Sequence, residues 1–170
     1  MTTATLSDQA QLELVRTRHV RQMELTVCIL QHIMARVDGA TATTLRDPDD
    51  GAKGWTTLEV LCHLRDYDEI FYRRAQMMAA GGTPDLPGYD HEALATERRY
   101  NEQDPATVLA ALVESRARFV AFFRDLTPEQ WQATGIHPER GLFTMTDAAM
   151  QVGLHDVLHI EQITRILASA

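Results

Sequence analysis

The sequence sets two histidines, His155 and His159, four residues apart in "LHDVLHIEQI", inside an otherwise apolar segment. On a helix, residues at i and i+4 point the same way, so two imidazoles at that spacing can converge on one metal ion. Ala148, Val152, His155, His159, Ile163 and Ile166 share one face, which puts both rings in the middle of a seam suited to burying leucines. Asp156 gives H-D-x-x-H where zinc proteases carry H-E-x-x-H, and its shorter arm makes a poor general base. A metalloprotease is therefore disfavoured. A third ligand is available in "LEVLCHLRDYDEIF", where Val60, His63, Leu64, Tyr67 and Phe71 form an inward stripe. One histidine on an apolar face is ordinarily a hydrogen-bonded core residue. Three of them with no evident polar partner cost too much desolvation for that reading, so metal binding by His63, His155 and His159 is favoured. Three imidazoles leave coordination positions open for water or substrate.

Other polar residues allow two readings each. Asp66, one turn from His63, and Asp156, one turn from His159, are either acceptors that orient the rings or solvated helix charges. Tyr67 is a pocket wall and proton donor, or a core aromatic. His19 near a helix start, His32 off the apolar stripe, and His91 and His137 in loops have surface or turn roles, with His137 in "GIHPERGLFT" within reach of a site mouth. Cys28 and Cys62 each stand among apolar neighbours and read as small core residues. Di-iron chemistry requires Glu-x-x-His motifs on two helices plus further glutamates, which this pattern does not supply.

The elements that position these residues are helical. A first helix is predicted from about Ser7 to Val37, with Met23, Val27, Leu30, Met34 and Val37 as its stripe and Gly39 as its stop. A second starts at "WTTLE", where Thr56 and Glu59 make a capping-box pair, and runs to about Ala80 before "GGTPDLPG". A third starts at Asp104 and Pro105, carries Val108, Leu112, Phe119 and Phe122 or Phe123, and reaches about Leu126. The fourth runs from near Thr146 to Leu167, and "TPEQW" reads as a short extra turn. Strand alternation at period two is not evident. The prediction is an all-α, single-domain four-helix bundle spanning residues 1–170.

The stretch from Gly81 to Asp104 exceeds twenty residues, with "HEALATERRY" as a candidate short helix inside it. At about 3.3 Å per extended residue it can cross a bundle whose 22-residue helices are only about 33 Å long. The second and third helices can then run parallel, in an up-down-down-up order. His63 lies roughly 12 Å into its helix, a depth at which it can meet His155 and His159.

Composition narrows the partners. The chain has 170 residues, 45% hydrophobic and 24% charged, with a formal net charge of −8. That charge disfavours nucleic acid and anionic membranes, and "RTRHVRQ" (Arg16 to Gln22) reads as a solvated helix end. Apolar runs are too short for a membrane span, no secretory pattern opens the sequence, and two cysteines suit a reducing compartment. These features predict a cytoplasmic protein with a small-molecule partner, and the exposed faces of long helices suit a homodimer.

The order of "GWTTLEVLCHL" followed far downstream by "HDVLHIEQI" resembles the DinB/YfiT-like family over almost the whole chain. The resemblance implies an up-down-down-up four-helix bundle holding a divalent metal, commonly zinc or nickel, on three histidines that match His63, His155 and His159. Some relatives are thiol-dependent transferases or isomerases that use bacillithiol or mycothiol, so the resemblance also implies a low-molecular-weight thiol as cofactor. On this reading the protein is a metal-dependent thiol S-transferase. A metal-dependent hydrolase, a non-catalytic metal- or ligand-binding stress or redox module, and an interaction protein whose histidines are vestigial are the alternatives. No motif selects the thiol or its acceptor.

Overall fold

The computed structural model describes residues 7–169. Four long helices build it: α1 (Asp8–Met34), α3 (Thr57–Ala79), α5 (Pro105–Asp125) and α6 (Met145–Leu167). Two short ones, α2 (Gly39–Thr44) and α4 (His91–Glu97), lie in the connections. Each long helix starts where a side chain can satisfy its free amides. Ser7 accepts from the Ala10 N–H, and Asp104 accepts from Thr107 ahead of Pro105 at the first helical position. Thr56 and Glu59 form the capping box expected of them. Thr144 and Asp147 form a second box, which starts α6 just ahead of its expected origin.

α1 and α3 each pack on α5 and α6, so α1 and α3 occupy opposite corners of the bundle. Contacts between helices give their directions. Arg16 meets Thr146 and Thr26 meets Asp156, so α1 and α6 run parallel. Asp68 meets Ser115 and Tyr72 meets Phe119, so α3 and α5 are parallel too. His63 lies against His159 and Phe71 against His155, so α3 and α6 are antiparallel. The crossover between α3 and α5 is tied down by Leu86 and Tyr100, both buried, although it shows no core periodicity in sequence.

Three features depart from the expectations. Gly39 does not end a helix but begins α2, because the Asp38 carboxylate accepts the Thr41 N–H at 2.8 Å. "GIHPERGLFT" belongs to an antiparallel hairpin of β1 (Thr134–His137) and β2 (Gly141–Thr144). A Cβ at Gly135 would sit 3.0 Å from Met78 Cγ and 3.1 Å from Leu86, so the absence of a side chain lets the hairpin lie on the end of α3. Arg16 is buried rather than solvated: it donates to Thr146 Oγ1 and the Trp131 carbonyl and stacks over the Trp131 ring.

The core is divided in two. One apolar cluster gathers Met23, Phe71, Met78, Phe119 and Val152, and the other Leu30, Leu58, Leu61, Leu112 and Ile163. Between them lies a polar layer centred on Arg116 of α5. Its guanidinium pairs with Asp68 of α3 at 2.7 Å and with Asp156 of α6 at 2.6 Å, and donates to the Met23 carbonyl of α1 at 2.8 Å. All four long helices are thereby bound to one cation. Burial opposes the charge on Arg116, but the carboxylates of Asp156 and Asp68 outweigh it and raise its pKa. Among the described residues, no helix is long and apolar enough to cross a membrane.

Candidate metal centre

The capping box at Thr56 sets the phase of α3 and turns His63 toward α6, where it is 5% exposed. His155 and His159, one turn apart on α6, meet it from the facing helix. Each of the three offers a ring nitrogen within 4.8 Å of the other two. The Nε2 atoms of His63 and His155 are 3.0 Å apart. Two nitrogens at tetrahedral angles about one zinc, each 2.0–2.1 Å from it, stand about 3.3 Å apart, so this spacing suits two ligands of one ion.

The rings are fixed in different ways. His63 Nδ1 is buried without a hydrogen-bond partner, and its ring is held by packing, with centroids 5.1 Å from Trp55 and 4.2 Å from Tyr67. Tyr67 also stacks on His155, at 17° and 5.4 Å. His159 is held by a hydrogen bond, its Nδ1 2.8 Å from Gln162 Oε1. Burial, with help from His159 and His91, pulls the His63 pKa down to about 3. Burial also holds His155 well below its ordinary value, reinforced by His159, His63, Arg116 and Arg140. For His159 burial lowers the pKa against the hydrogen bond that its Nδ1–H donates to Gln162. All three rings are therefore neutral at pH 7, the form in which an imidazole can ligate a metal.

The histidines line a cavity of about 680 Å³, a size suited to a small substrate. Trp55 and Tyr67 form apolar walls, while Lys53, Asp50 and Glu92 surround the mouth. Burial raises the Tyr67 hydroxyl above its usual range, so it stays protonated at neutral pH.

Several residues play roles other than those expected. Asp66 and Asp156 are neither ring acceptors nor solvated charges, for both are buried. Asp66 takes a 2.5 Å bond from the Tyr100 hydroxyl and pairs with Arg65 and Arg98, whereas Asp156 pairs with Arg116. His91, assigned by sequence to a surface or turn role, lines the cavity with its ring 6.1 Å from that of His63. His137 lies away from the cavity and packs against Arg74 at 3.1 Å. Cys62 is buried as expected, but Cys28 is exposed. Gln162 and Asp47, which sequence reasoning passed over, carry the polar contact to His159.

Comparison with known proteins finds relatives over most of the chain. A family model described as the DinB superfamily matches residues 29–163. YfiT of Bacillus subtilis (strain 168), provisionally named a metal-dependent hydrolase, is 28% identical over 144 residues, which cover 84% of this chain and 78% of its own. OB0782 of Oceanobacillus iheyensis carries the same provisional name and is 28% identical over 114 residues, 66% of this chain and 65% of its own. The solved structure of YfiT, described as a four-helix bundle of unusual topology, aligns with a TM-score of 0.81 at 24% identity, covering 99% and 92% of the two chains. A mycothiol-dependent maleylpyruvate isomerase aligns with a TM-score of 0.60 at 18% identity, over 99% of this chain and 71% of the isomerase.

Proposed function

This chain belongs to the DinB superfamily, and from that premise we propose that it is a divalent-metal enzyme that transfers a low-molecular-weight thiol to a small electrophile. The observation that carries the reading is the set of three neutral imidazoles on the wall of an open cavity. His63, His155 and His159 would hold zinc or nickel, and as neutral ligands they leave its double charge for an incoming anion to offset. A cation there supplies Lewis acidity, lowering the pKa of a coordinated thiol or water.

The chain's own residues favour a thiol. Asp50 and Glu92, the carboxylates lining the cavity, are exposed at its mouth rather than set among the histidines. Water needs a base to help remove its proton, whereas a thiol ionises readily and needs less help. Trp55 and Tyr67 pack against the His63 ring, and the protonated Tyr67 hydroxyl would supply a donor to a developing oxyanion on the acceptor. Lys53 at the mouth offers a cation to an anionic substituent of thiol or acceptor. A second reading, hydrolysis with water in the thiol's place, is favoured by the provisional names of YfiT and OB0782.

The test is a thiol titration of the cobalt-substituted protein. Bacillithiol, mycothiol or glutathione is expected to produce a sulfur-to-cobalt charge-transfer band, and the zinc or nickel form to consume that thiol with an electrophilic acceptor. An unchanged spectrum with all three thiols, together with ester or amide turnover, would replace thiol transfer by hydrolysis. Failure to retain any divalent metal would remove both readings.

A further inference from the structure

His159 is one end of a polar chain that leaves the cavity and enters the loop roofing it. Its Nδ1 faces Gln162 Oε1 at 2.8 Å, and Gln162 Nε2 donates to Asp47 Oδ2 at 2.9 Å. Asp47 is 1% exposed, and its other oxygen, Oδ1, accepts from Arg165 and, at 3.1 Å, from the Asp49 N–H. Its own N–H donates to the Trp55 carbonyl at 2.9 Å, tying it to a wall of the cavity.

We propose that Asp47 and Gln162 are positioning residues that fix which nitrogen of His159 carries its proton, and so keep its Nε2 lone pair directed at the metal. An ionised carboxylate only accepts, so the Gln162 amide must turn its NH2 group toward Asp47. Its oxygen then faces His159, where it can only accept. The Nδ1 must carry the hydrogen, and in a neutral imidazole Nε2 is left with the lone pair. Asp47 thus sets the tautomer of a ring it never touches. The proposal rests on the three-histidine reading for its consequence in metal affinity, but the tautomer itself is a property of the metal-free protein.

The arrangement has a distinctive failure and a distinctive repair. In Asp47→Asn the two donors at Oδ1, Arg165 and the Asp49 N–H, hold the amide oxygen on their side. The new NH2 then faces Gln162 and forces that amide to turn over. An NH2 group then faces His159 Nδ1, which must accept, and the proton moves to Nε2. Adding Gln162→Glu repairs the chain: one oxygen of the introduced carboxylate accepts from the introduced amide at position 47, and the other accepts from His159 Nδ1–H.

The experiment is long-range ¹⁵N–¹H NMR of the imidazoles in the metal-free full chain at neutral pH, followed by zinc affinity against a chromophoric chelator. Wild type is expected to show His159 protonated at Nδ1, Asp47→Asn at Nε2, and the double variant at Nδ1 again. Zinc affinity should fall about 10–100-fold in Asp47→Asn, the usual cost of losing a ligand's orienting partner, and recover in the double variant. General loosening of the loop would not be repaired by a second substitution. Gln162→Met leaves Asp47 paired with Arg165 and should show both tautomers, which covers the case of a misfolded Asp47→Asn. Wild-type protonation at Nε2, or a single unchanged Nδ1–H form in Asp47→Asn or Gln162→Met, overturns the proposal. The expected tautomers in a protein that binds no zinc would uphold the relay and remove the metal reading instead.

Discussion

Replacing Arg116 with Met should be among the most damaging single changes outside the cavity. The guanidinium is 2% exposed and makes hydrogen bonds to Asp68, Asp156, the Met23 carbonyl and Thr26. Met keeps much of the volume but leaves two buried carboxylates facing each other without a cation. Removing one partner of a buried ion pair costs about 3–5 kcal/mol, a large share of the roughly 5–15 kcal/mol that holds a typical domain together. The pH dependence has a definite sign. Burial already raises the Asp68 pKa despite Arg116, Ser115 and their hydrogen bonds, so losing the cation raises it further. A carboxyl whose folded pKa lies above its unfolded value favours folding at low pH, and that contribution is lost as pH rises through the folded pKa. The deficit of the variant should therefore be largest near neutrality and shrink on acidification. Urea unfolding of the metal-free protein from pH 7 to 5 measures it, with Arg116→Met/Asp68→Leu/Asp156→Leu as the partner variant expected to recover most of the loss. A single-variant cost below about 1 kcal/mol, or a deficit that grows on acidification, would refute the reasoning.

Three further outcomes are expected. His159→Ala should lose most bound metal after dialysis and most of the metal-induced rise in melting temperature, while its metal-free melt stays near wild type and His32→Ala retains metal. Lowering the pH should destabilise the metal-free wild type: the unfolded His63 takes up a proton near 6.5 and the folded one only near 3, so by about pH 5 this residue alone removes roughly 2 kcal/mol. A urea midpoint that falls less steeply in His63→Gln, where His155 and His159 still contribute, would show that loss, and an equal slope in both proteins would contradict it. Gly54→Ala places a Cβ 2.3 Å from the Asp47 carbonyl oxygen, so the roofing loop must shift; a stability loss of about 1–3 kcal/mol and weaker zinc binding are expected by thermal melt and chelator competition.

The legible parts of this molecule were those whose signals are local. Thr56 with Glu59, and Asp104 before Pro105, announce helix starts within four residues, and His155 and His159 reveal their shared face by spacing alone. The third histidine could be matched to them because its stripe on α3 has the same period. What sequence hid was polar pairing across long separations. Asp156 looks like an ordinary helix charge until Arg116 and Thr26 are brought to it from two other helices. Gln162 follows His159 by three residues, but its significance depends on Asp47, 115 positions away. The hairpin escaped notice because its strands are only four residues long and only three of their eight positions are buried, too short a run to show alternation. His91 gave no signal because an irregular crossover, rather than any periodicity, carries it to the cavity.

The placement of α1 and α3 at opposite corners affects how the chain can fold as it leaves the ribosome. An ordinary up-and-down bundle can zip its first two helices into a hairpin while the rest is still being made. Here α1 packs chiefly on α5 and α6. The amino-terminal helix must therefore wait, its apolar stripe uncovered, until both of those late elements have been synthesised. Such contacts between distant parts of the sequence slow folding relative to helical proteins of similar size, toward milliseconds or longer rather than microseconds. The cost recurs at every unfolding event, since α1 cannot re-dock until both of its late-made neighbours are back in place. Truncation before α6 should accordingly yield not a smaller folded bundle but a chain that holds α1 open to aggregation or proteolysis.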